Sequence, residues 1–349
     1  MEKAKLPGLQ CCIVKDGRIV FATAYGWANI KTQTPMTPDS IFEIASISKT
    51  FTGTAAMHCA ERGLLRLDGD IGEALGWPAR NPAYPGAPVT TRMLMTHTSS
   101  IADSEVLWNG YSVGDSPLPL NKWCRGYLTP GGKYWSTDNW AAYAPGSTWS
   151  YSGAGAATCG DVVERVSHTP FDTWCDQNIF GQLGMTNTSW RIADLPKELL
   201  ATPYTWNDPQ YEPYPLSGCP DYPDSMVHTS VNQLGKFLIA YLQGGTYQGR
   251  QILAPWAVEA MLTPYVTGTD VLTGSPVSQG LFWHSNDTFV PGRTLWGHTG
   301  ADYGISAEMY MDRCRSEGVI VLANGEGWWW DYGALQTIVT KLFQKADRM

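Results

Sequence analysis

Both ends of this chain read as β-strand while its middle reads as helix, and that arrangement constrains the fold more than any other feature. Near the start, Gln10 to Trp27 forms two strands joined at Asp16-Gly17, a dipeptide that favours the type I′ turn of a two-residue hairpin. In the last third, Thr294 to Met311 and Gly318 to Asn324 are strand-like runs, with a hairpin expected around Arg313 to Gly318. A final helix, Tyr332 to Ala346, closes the chain. Between the ends, helical patterns cover Ser46 to Arg62, Thr90 to Thr96, Ala154 to Val166 and Val231 to Gln243. In the first of these, Ile47, Phe51, Ala55 and Cys59 recur every fourth residue as a buried stripe, and Gly63 stops it. The expected fold class is therefore α+β: an antiparallel β-sheet flanked by helices, built from both chain ends, with an inserted, mostly helical domain. Residues 1–60 and 225–349 are expected to form the sheet domain, and 61–224 the helical domain with aromatic-rich loops. No internal repeat is present.

Charge narrows the class of function. The 349 residues hold 24 Lys+Arg against 32 Asp+Glu, a formal charge of −8, and no basic run. That balance argues against a nucleic-acid or anionic-membrane partner. No apolar stretch approaches the roughly 18–20 residues that span a bilayer. Sixteen Trp and 17 Tyr accompany only 16% charged residues. They concentrate in Trp108 to Trp149 and Tyr204 to Tyr222, either as walls over a cleft or as loops tied down by small aromatic cores. Trp328-Trp329-Trp330 follows the last strand and is read as packing.

Eight cysteines are too few for a disulfide scaffold, and mostly free thiols are expected. Cys11 and Cys12 should point to opposite faces of one strand. Cys59 and Cys159 read as core residues, and Cys124, Cys175 and Cys219 are the better disulfide candidates. The six His form neither HxH nor HExxH, and no CxxC is present, so no metal site and no cofactor are expected.

Three short motifs carry chemistry. Ser46-Ile47-Ser48-Lys49 is an S-x-x-K, which on a helix sets the Lys49 amine beside the Ser46 hydroxyl. Alone it is weak, since roughly one chance match is expected in a chain this long. Tyr151-Ser152-Gly153 follows Ala144-Pro145-Gly146 at a loop-to-helix junction, and a phenol near a lysine can serve as a general base. His298-Thr299-Gly300 lies in a strand-like run, where the glycine lets another backbone or a ligand come close.

In this order and spacing the three motifs resemble the serine β-lactamase and penicillin-recognising superfamily, in particular class C β-lactamases, DD-peptidases, D-aminopeptidases and β-lactamase-like carboxylesterases. Supporting segments are Phe42 to Thr52, Thr90 to Ser99 (similar to "T-x-R-x-L-L-x-H-T-S-G"), Ala144 to Gly155 (similar to "P-G-x-x-x-x-Y-S-N-x-G"), Leu183 to Thr188 and Gly297 to Gly300. The resemblance implies Ser46 as acylated nucleophile, Lys49 as its hydrogen-bonded activator and Tyr151 as proton shuttle. His298 takes the place of the family's lysine. The backbone N–H groups of Ser46 and Ala301 would form the oxyanion hole, and Thr299, Gly300 and Gly153 would border the substrate. His97 is expected to be a structural hydrogen-bonder.

Three departures qualify this assignment. Gly153 replaces the family's Asn and supplies no amide to Lys49 or to an acylamide substrate. His298 in place of Lys holds a substrate carboxylate more weakly when neutral. Ser100 stands where a Gly is usual. The resemblance thus implies a serine hydrolase acting on a small ester or amide, with carboxylic esters favoured. The alternatives are a β-lactamase or D-amino-acid peptidase or amidase, and a non-catalytic penicillin-binding-like protein. Restoring Asn at position 153 is expected to raise acylation by a penicillin more than ester hydrolysis. The family implies an extracytoplasmic location, periplasmic or secreted, with any signal peptide lying outside this chain and a cytoplasmic location as the alternative.

Overall fold

A computed structural model describes residues 1–269 and 276–349. Its centre is a nine-stranded antiparallel sheet. In chain order the strands are β1 (Gly8–Lys15), β2 (Arg18–Asn29), β3 (Thr34–Pro35), β4 (Val266–Thr269), β5 (Pro276–Gln279), β6 (His284–Asn286), β7 (Leu295–Asp302), β8 (Ile305–Asp312) and β9 (Glu317–Ala323). Their spatial order is β4-β5-β6-β7-β8-β9-β1-β2-β3, so the first and last strands pair at the middle, Leu9 opposite Ala323. The sheet is built from both chain ends, as the strand pattern requires.

The Asp16-Gly17 hairpin has both central residues at positive φ, 49° and 75°, which is what a type I′ turn demands. The run from Thr294 to Met311, expected as one strand, is instead two. It reverses at Tyr303-Gly304, where Gly304 takes φ 73° and a Cβ would press on Pro203 and the Tyr204 nitrogen. Apolar alternation continues through the turn, which is why pattern alone did not reveal it.

Side-chain alternation divides β1 between two cores. Cys12 and Val14 face the helix Val231–Leu242, in the core that also takes up α1 (Ser48–Glu61), while Cys11 and Ile13 pack with Leu335, Val339 and Phe343 on the C-terminal helix. That helix, Gly327–Ala346, starts earlier than expected, and extended backbone at Asp331 (φ −160°, ψ 80°) breaks it. Its first turn holds Trp328, buried and stacked on Tyr332 at 3.9 Å, and the exposed Trp329 and Trp330. The Phe51 ring of α1 stacks at 3.9 Å on Phe237 of α2 (Val231–Leu242), which joins α1 to the helix that packs on β1.

None of the eight cysteines is paired. Cys124, Cys175 and Cys219, the disulfide candidates, are separate buried thiols, and burial pushes each of them above the usual thiol range. Their irregular, aromatic surroundings are packed interior.

The aromatic stretches divide residue by residue. Trp123 and Tyr127 stack at 4.8 Å and are buried with Trp140, tying one loop region down. The Tyr127 hydroxyl donates to Ala102 O at 2.8 Å and accepts from Ser104 N at 2.9 Å. Trp108, Trp149, Tyr214, Tyr303 and Trp329 instead border a cleft of about 1170 Å³ that also contains Ser46.

Candidate active site

Ser46 sits in a short 3₁₀ turn, Ala45–Ile47, that runs directly into α1. In 3₁₀ geometry residues three apart nearly eclipse, so Ser46 and Lys49 share a side more closely than in an α-helix. Ala45 holds φ 45°, a strained value for a residue with a Cβ, at the point where the chain swings Ser46 toward the cleft. Lys49 Nζ donates to Ser46 Oγ at 2.9 Å.

Tyr151 arrives from the turn before a 15-residue helix, Gly153–Ser167. Ser152 caps that helix, its Oγ accepting from Gly155 N at 2.8 Å. Asp103 completes the cap by accepting from Gly153 N at 2.8 Å and Ala154 N at 2.9 Å. The Tyr151 hydroxyl interacts with both Lys49 and Ser46, and Lys49 Nζ lies 4.7 Å from the ring centroid. Ser46, Lys49 and Tyr151, the first and last of them 105 positions apart in the chain, thus converge on one point.

Electrostatics at that point are dominated by a residue that the sequence motifs did not flag. Asp224 forms an ion pair with Lys49, and its backbone carbonyl also accepts from Nζ at 3.3 Å. Burial alone would pull the Lys49 pKa down, but the charge of Asp224 and the Tyr151 oxygen outweigh it, holding Lys49 above the ordinary lysine value. Burial pushes the Tyr151 phenol up to about 12 against the pull of Lys49. Asp103 is raised to about 6 by burial and by the charge of Asp224. The one sequence signal for Asp224 was indirect: a glycine where the motif has Asn leaves a lysine without an expected partner.

The structure also places the other candidates. Gly153 faces Asp224, and an ideal Cβ there would lie 2.6 Å from Asp224 Oδ2. Restoring Asn at 153 alone therefore collides with a carboxylate, contrary to the expectation that it simply supplies a missing amide. Ala301 lines the cleft with Ser46, whereas Thr299 and Gly300 do not. Gly300 serves a closer approach, since a Cβ there would overlap the Ile44 carbonyl oxygen just before the Ser46 turn.

His298 is buried behind Tyr151, with ring centroids 6.2 Å apart and 5.0 Å from His284. Its Nδ1–H donates to Thr299 O at 2.6 Å. Burial, then His284 and Lys49, hold it well below the usual imidazole range, so it is neutral with its lone pair on Nε2. Among the described residues, β7 has no partner on the β6 side from His298 to Asp302, so the motif lies on a locally open edge within the sheet.

His97 stacks on Tyr151 at 4.4 Å, and its Nδ1 accepts from Ser152 N at 3.1 Å. Ser100 adopts φ 62°, the conformation that makes Gly usual there, and its Oγ accepts from Asn81 Nδ2 at 3.0 Å. Among the described residues, no group of three or more His, Cys, Asp or Glu side chains is placed to hold a metal ion, and no helix is long and apolar enough to cross a membrane.

Comparison with known proteins agrees with this geometry. A family model described as Beta-lactamase matches residues 1–338. A β-lactamase of Pseudomonas fluorescens is 24% identical over 93% of this chain and 90% of its own length. Esterase EstB of Burkholderia gladioli is 29% identical over 61% of this chain and 53% of its own. Among solved structures, the octameric penicillin-binding protein homologue from Pyrococcus abyssi superposes with a TM-score of 0.75 at 26% identity, covering 94% of this chain and 71% of that one.

Proposed function

The chain belongs to the β-lactamase family and is a serine hydrolase of that family, and from that premise we propose that it forms an acyl-enzyme on Ser46 and hydrolyses small carboxylic esters that carry no free carboxylate. The observation that carries this reading is the 2.9 Å contact of Lys49 Nζ with Ser46 Oγ, with the Tyr151 hydroxyl beside both.

In the proposed acylation, Ser46 Oγ bonds to the substrate carbonyl carbon. Its proton passes to the Tyr151 oxygen as Tyr151 gives its own proton to the departing alkoxide. A phenol near 12 suits this relay, because it need not exist as a standing phenolate and is acidic enough to protonate an alkoxide. Lys49, kept as an ammonium, donates to Oγ and offsets negative charge that develops on the two oxygens. Water then takes the alcohol's place and the relay runs in reverse. The N–H groups of Ser46 and Ala301 are the proposed donors to the tetrahedral oxyanion.

Support for esters over β-lactams or D-peptides comes from charge. Among the described residues, those lining the cleft include Asp103, Asp302 and Glu326 but no Lys or Arg. His298 is buried and neutral. A β-lactam or C-terminal peptide brings a carboxylate for which this cleft offers no counter-ion. The space in front of Gly153, where an amide would reach an acylamide, holds Asp224.

Turnover of p-nitrophenyl butyrate and benzylpenicillin by wild type and Ser46→Ala tests both parts. Wild type should show an acyl adduct on Ser46 by intact mass, and Ser46→Ala should lose at least about 10³-fold in ester turnover. Equal rates from the two proteins would sink the proposal at this site. A kcat/KM for benzylpenicillin above that for the ester would replace the esterase reading with the β-lactamase one.

A further inference from the structure

Gly153 and Asp224 lie 71 positions apart in the chain and meet at one place, against Lys49. The segment carrying Asp224 is clamped to α1 from both sides. Thr52 Oγ1 donates to Pro223 O at 2.6 Å, and Val227 N donates to Ser48 Oγ at 3.0 Å. Asp224 N in turn donates to Asp221 O at 2.9 Å, closing a tight turn. Ser48, Lys49 and Thr52 all belong to α1, so the helix that bears the lysine also fixes where the carboxylate stands.

Gly153 is held just as firmly. Its N–H donates to Asp103, so its backbone cannot withdraw from Asp224. With a Cβ position only 2.6 Å from Asp224 Oδ2, a side chain at 153 and a carboxylate at 224 exclude each other. Lys49 is 1% exposed, and without an anionic partner it would be a buried, uncompensated charge.

We propose that Asp224 is a positioning residue of this site, which holds the Lys49 ammonium against Ser46, and that Gly153 is glycine because the Asp224 carboxylate occupies the space its side chain would need. The two positions form one unit: this chain places its lysine partner on residue 224, where the Tyr-x-Asn motif places it two residues after the tyrosine. Asp224 acts through Lys49 and need not touch substrate. The assignment rests on the acyl-enzyme reading at Ser46. The titratable and charged groups acting on Lys49 are Tyr151 and Asp224, with Asp103 and the imidazoles of His97 and His298 close enough to feel its charge.

The test is steady-state hydrolysis of p-nitrophenyl butyrate across pH by four variants: Ser46→Ala, Asp224→Asn, Gly153→Ala, and the exchange Gly153→Asn/Asp224→Gly. Asp224→Asn should lower kcat about 10- to 100-fold with KM within about threefold, the size expected when a reacting group is misplaced by an ångström or less. Loss of the carboxylate lets Lys49 give up its proton at lower pH, so the alkaline limb of kcat/KM should move at least about one unit toward acid. A merely structural ion pair would lower the melting temperature and leave that limb in place. Gly153→Ala should show the same kcat loss by displacing the carboxylate. The exchange should recover to within about tenfold of wild type and exceed both Gly153→Ala and Asp224→Asn.

A wild-type kcat and pH profile in Asp224→Asn would overturn the proposal, as would an exchange no more active than Gly153→Ala and Asp224→Asn. If Asp224→Asn does not fold, as judged by circular dichroism, Gly153→Ala and the exchange still decide. Activity surviving in Ser46→Ala would instead remove the acyl-enzyme reading. An inactive Ser46→Ala beside a fully active Asp224→Asn would remove only the role of Asp224.

Discussion

Trp149 and Tyr151 are two residues apart, yet they belong to regions of the cleft built in different ways. Tyr151 stands on a floor with Ser46, Lys49 and Asp224, where contacts are directional, charged and buried. Trp149 belongs to a wall with Trp108, Tyr214, Tyr303 and Trp329, where contacts are broad and apolar and several rings face solvent. Directional contacts fail when one atom moves by an ångström. Aromatic surface can lose one ring and still bury a ligand. The floor therefore governs whether chemistry occurs, and the wall governs which ester stays long enough to react.

The sharpest way to break this contrast is at Gly300, where the floor depends on close backbone approach. A Cβ there overlaps the Ile44 carbonyl and pushes β7 away from the Ser46 turn. Gly300→Ala should lower kcat by about 10²–10³-fold, as loss of one oxyanion donor does in other serine hydrolases. A change below about threefold would show that β7 and the Ser46 turn need not be pressed together.

A second test reads the charge stored in the floor. The folded-state pKa of Asp103, about 6, lies above its unfolded value of about 3.9. A raised carboxyl pKa means that the native state holds a proton the unfolded chain gives up. The stability it contributes is complete below about pH 4 and is lost as pH rises through about 6. Between pH 4 and 7 the melting temperature of wild type should therefore decline by a few degrees relative to Asp103→Asn. Parallel melting curves for the two proteins would contradict the assigned shift.

The smallest effect belongs to the wall. Trp149→Ala should raise KM for an aromatic or alkyl ester by about two- to tenfold, the worth of one ring contact of roughly 0.5–1.5 kcal/mol, with kcat within about twofold. Gly268→Ala offers an independent route, because a Cβ there overlaps the Trp149 ring. A kcat effect as large as that of Gly300→Ala would erase the distinction between floor and wall.

Much of the fold was legible because its signals are local. Asp16-Gly17 encodes its own turn, the stripe from Ile47 to Cys59 encodes α1, and alternation along β1 sends Cys11 and Cys12 to different cores. Candidate residues with a fixed spacing, Ser46 and Lys49, were equally readable. Asp224 was not, because its partnership with Lys49 depends on how two remote segments dock, and no spacing rule spans 175 residues. The Tyr303-Gly304 reversal escaped for the opposite reason: the apolar residues Ala301, Tyr303, Ile305, Ala307 and Met309 keep the alternation unbroken across it, so periodicity carried no mark of the turn. Cys124, Cys175 and Cys219 stood out as the better disulfide candidates because their sequence surroundings are irregular and aromatic-rich, yet each is a buried free thiol, in line with the expectation of mostly free thiols.

The pairing of β1 with β9 has a consequence for how the protein is made. Leu9 leaves the ribosome roughly 300 residues before its partner Ala323, and such long-range pairings are slow to form. Until β9 emerges, β1 has no neighbour on one side, and an unpaired apolar strand edge is a template for association with other chains. β7, which carries Ala301 into the cleft, sits in the sheet only two strands from that late pairing. A chain truncated before Glu317 would keep Ser46, Lys49, Tyr151 and Ala301 and still lack the strand that joins β1 to β8, so competence for catalysis should arise in one step, once β9 is available.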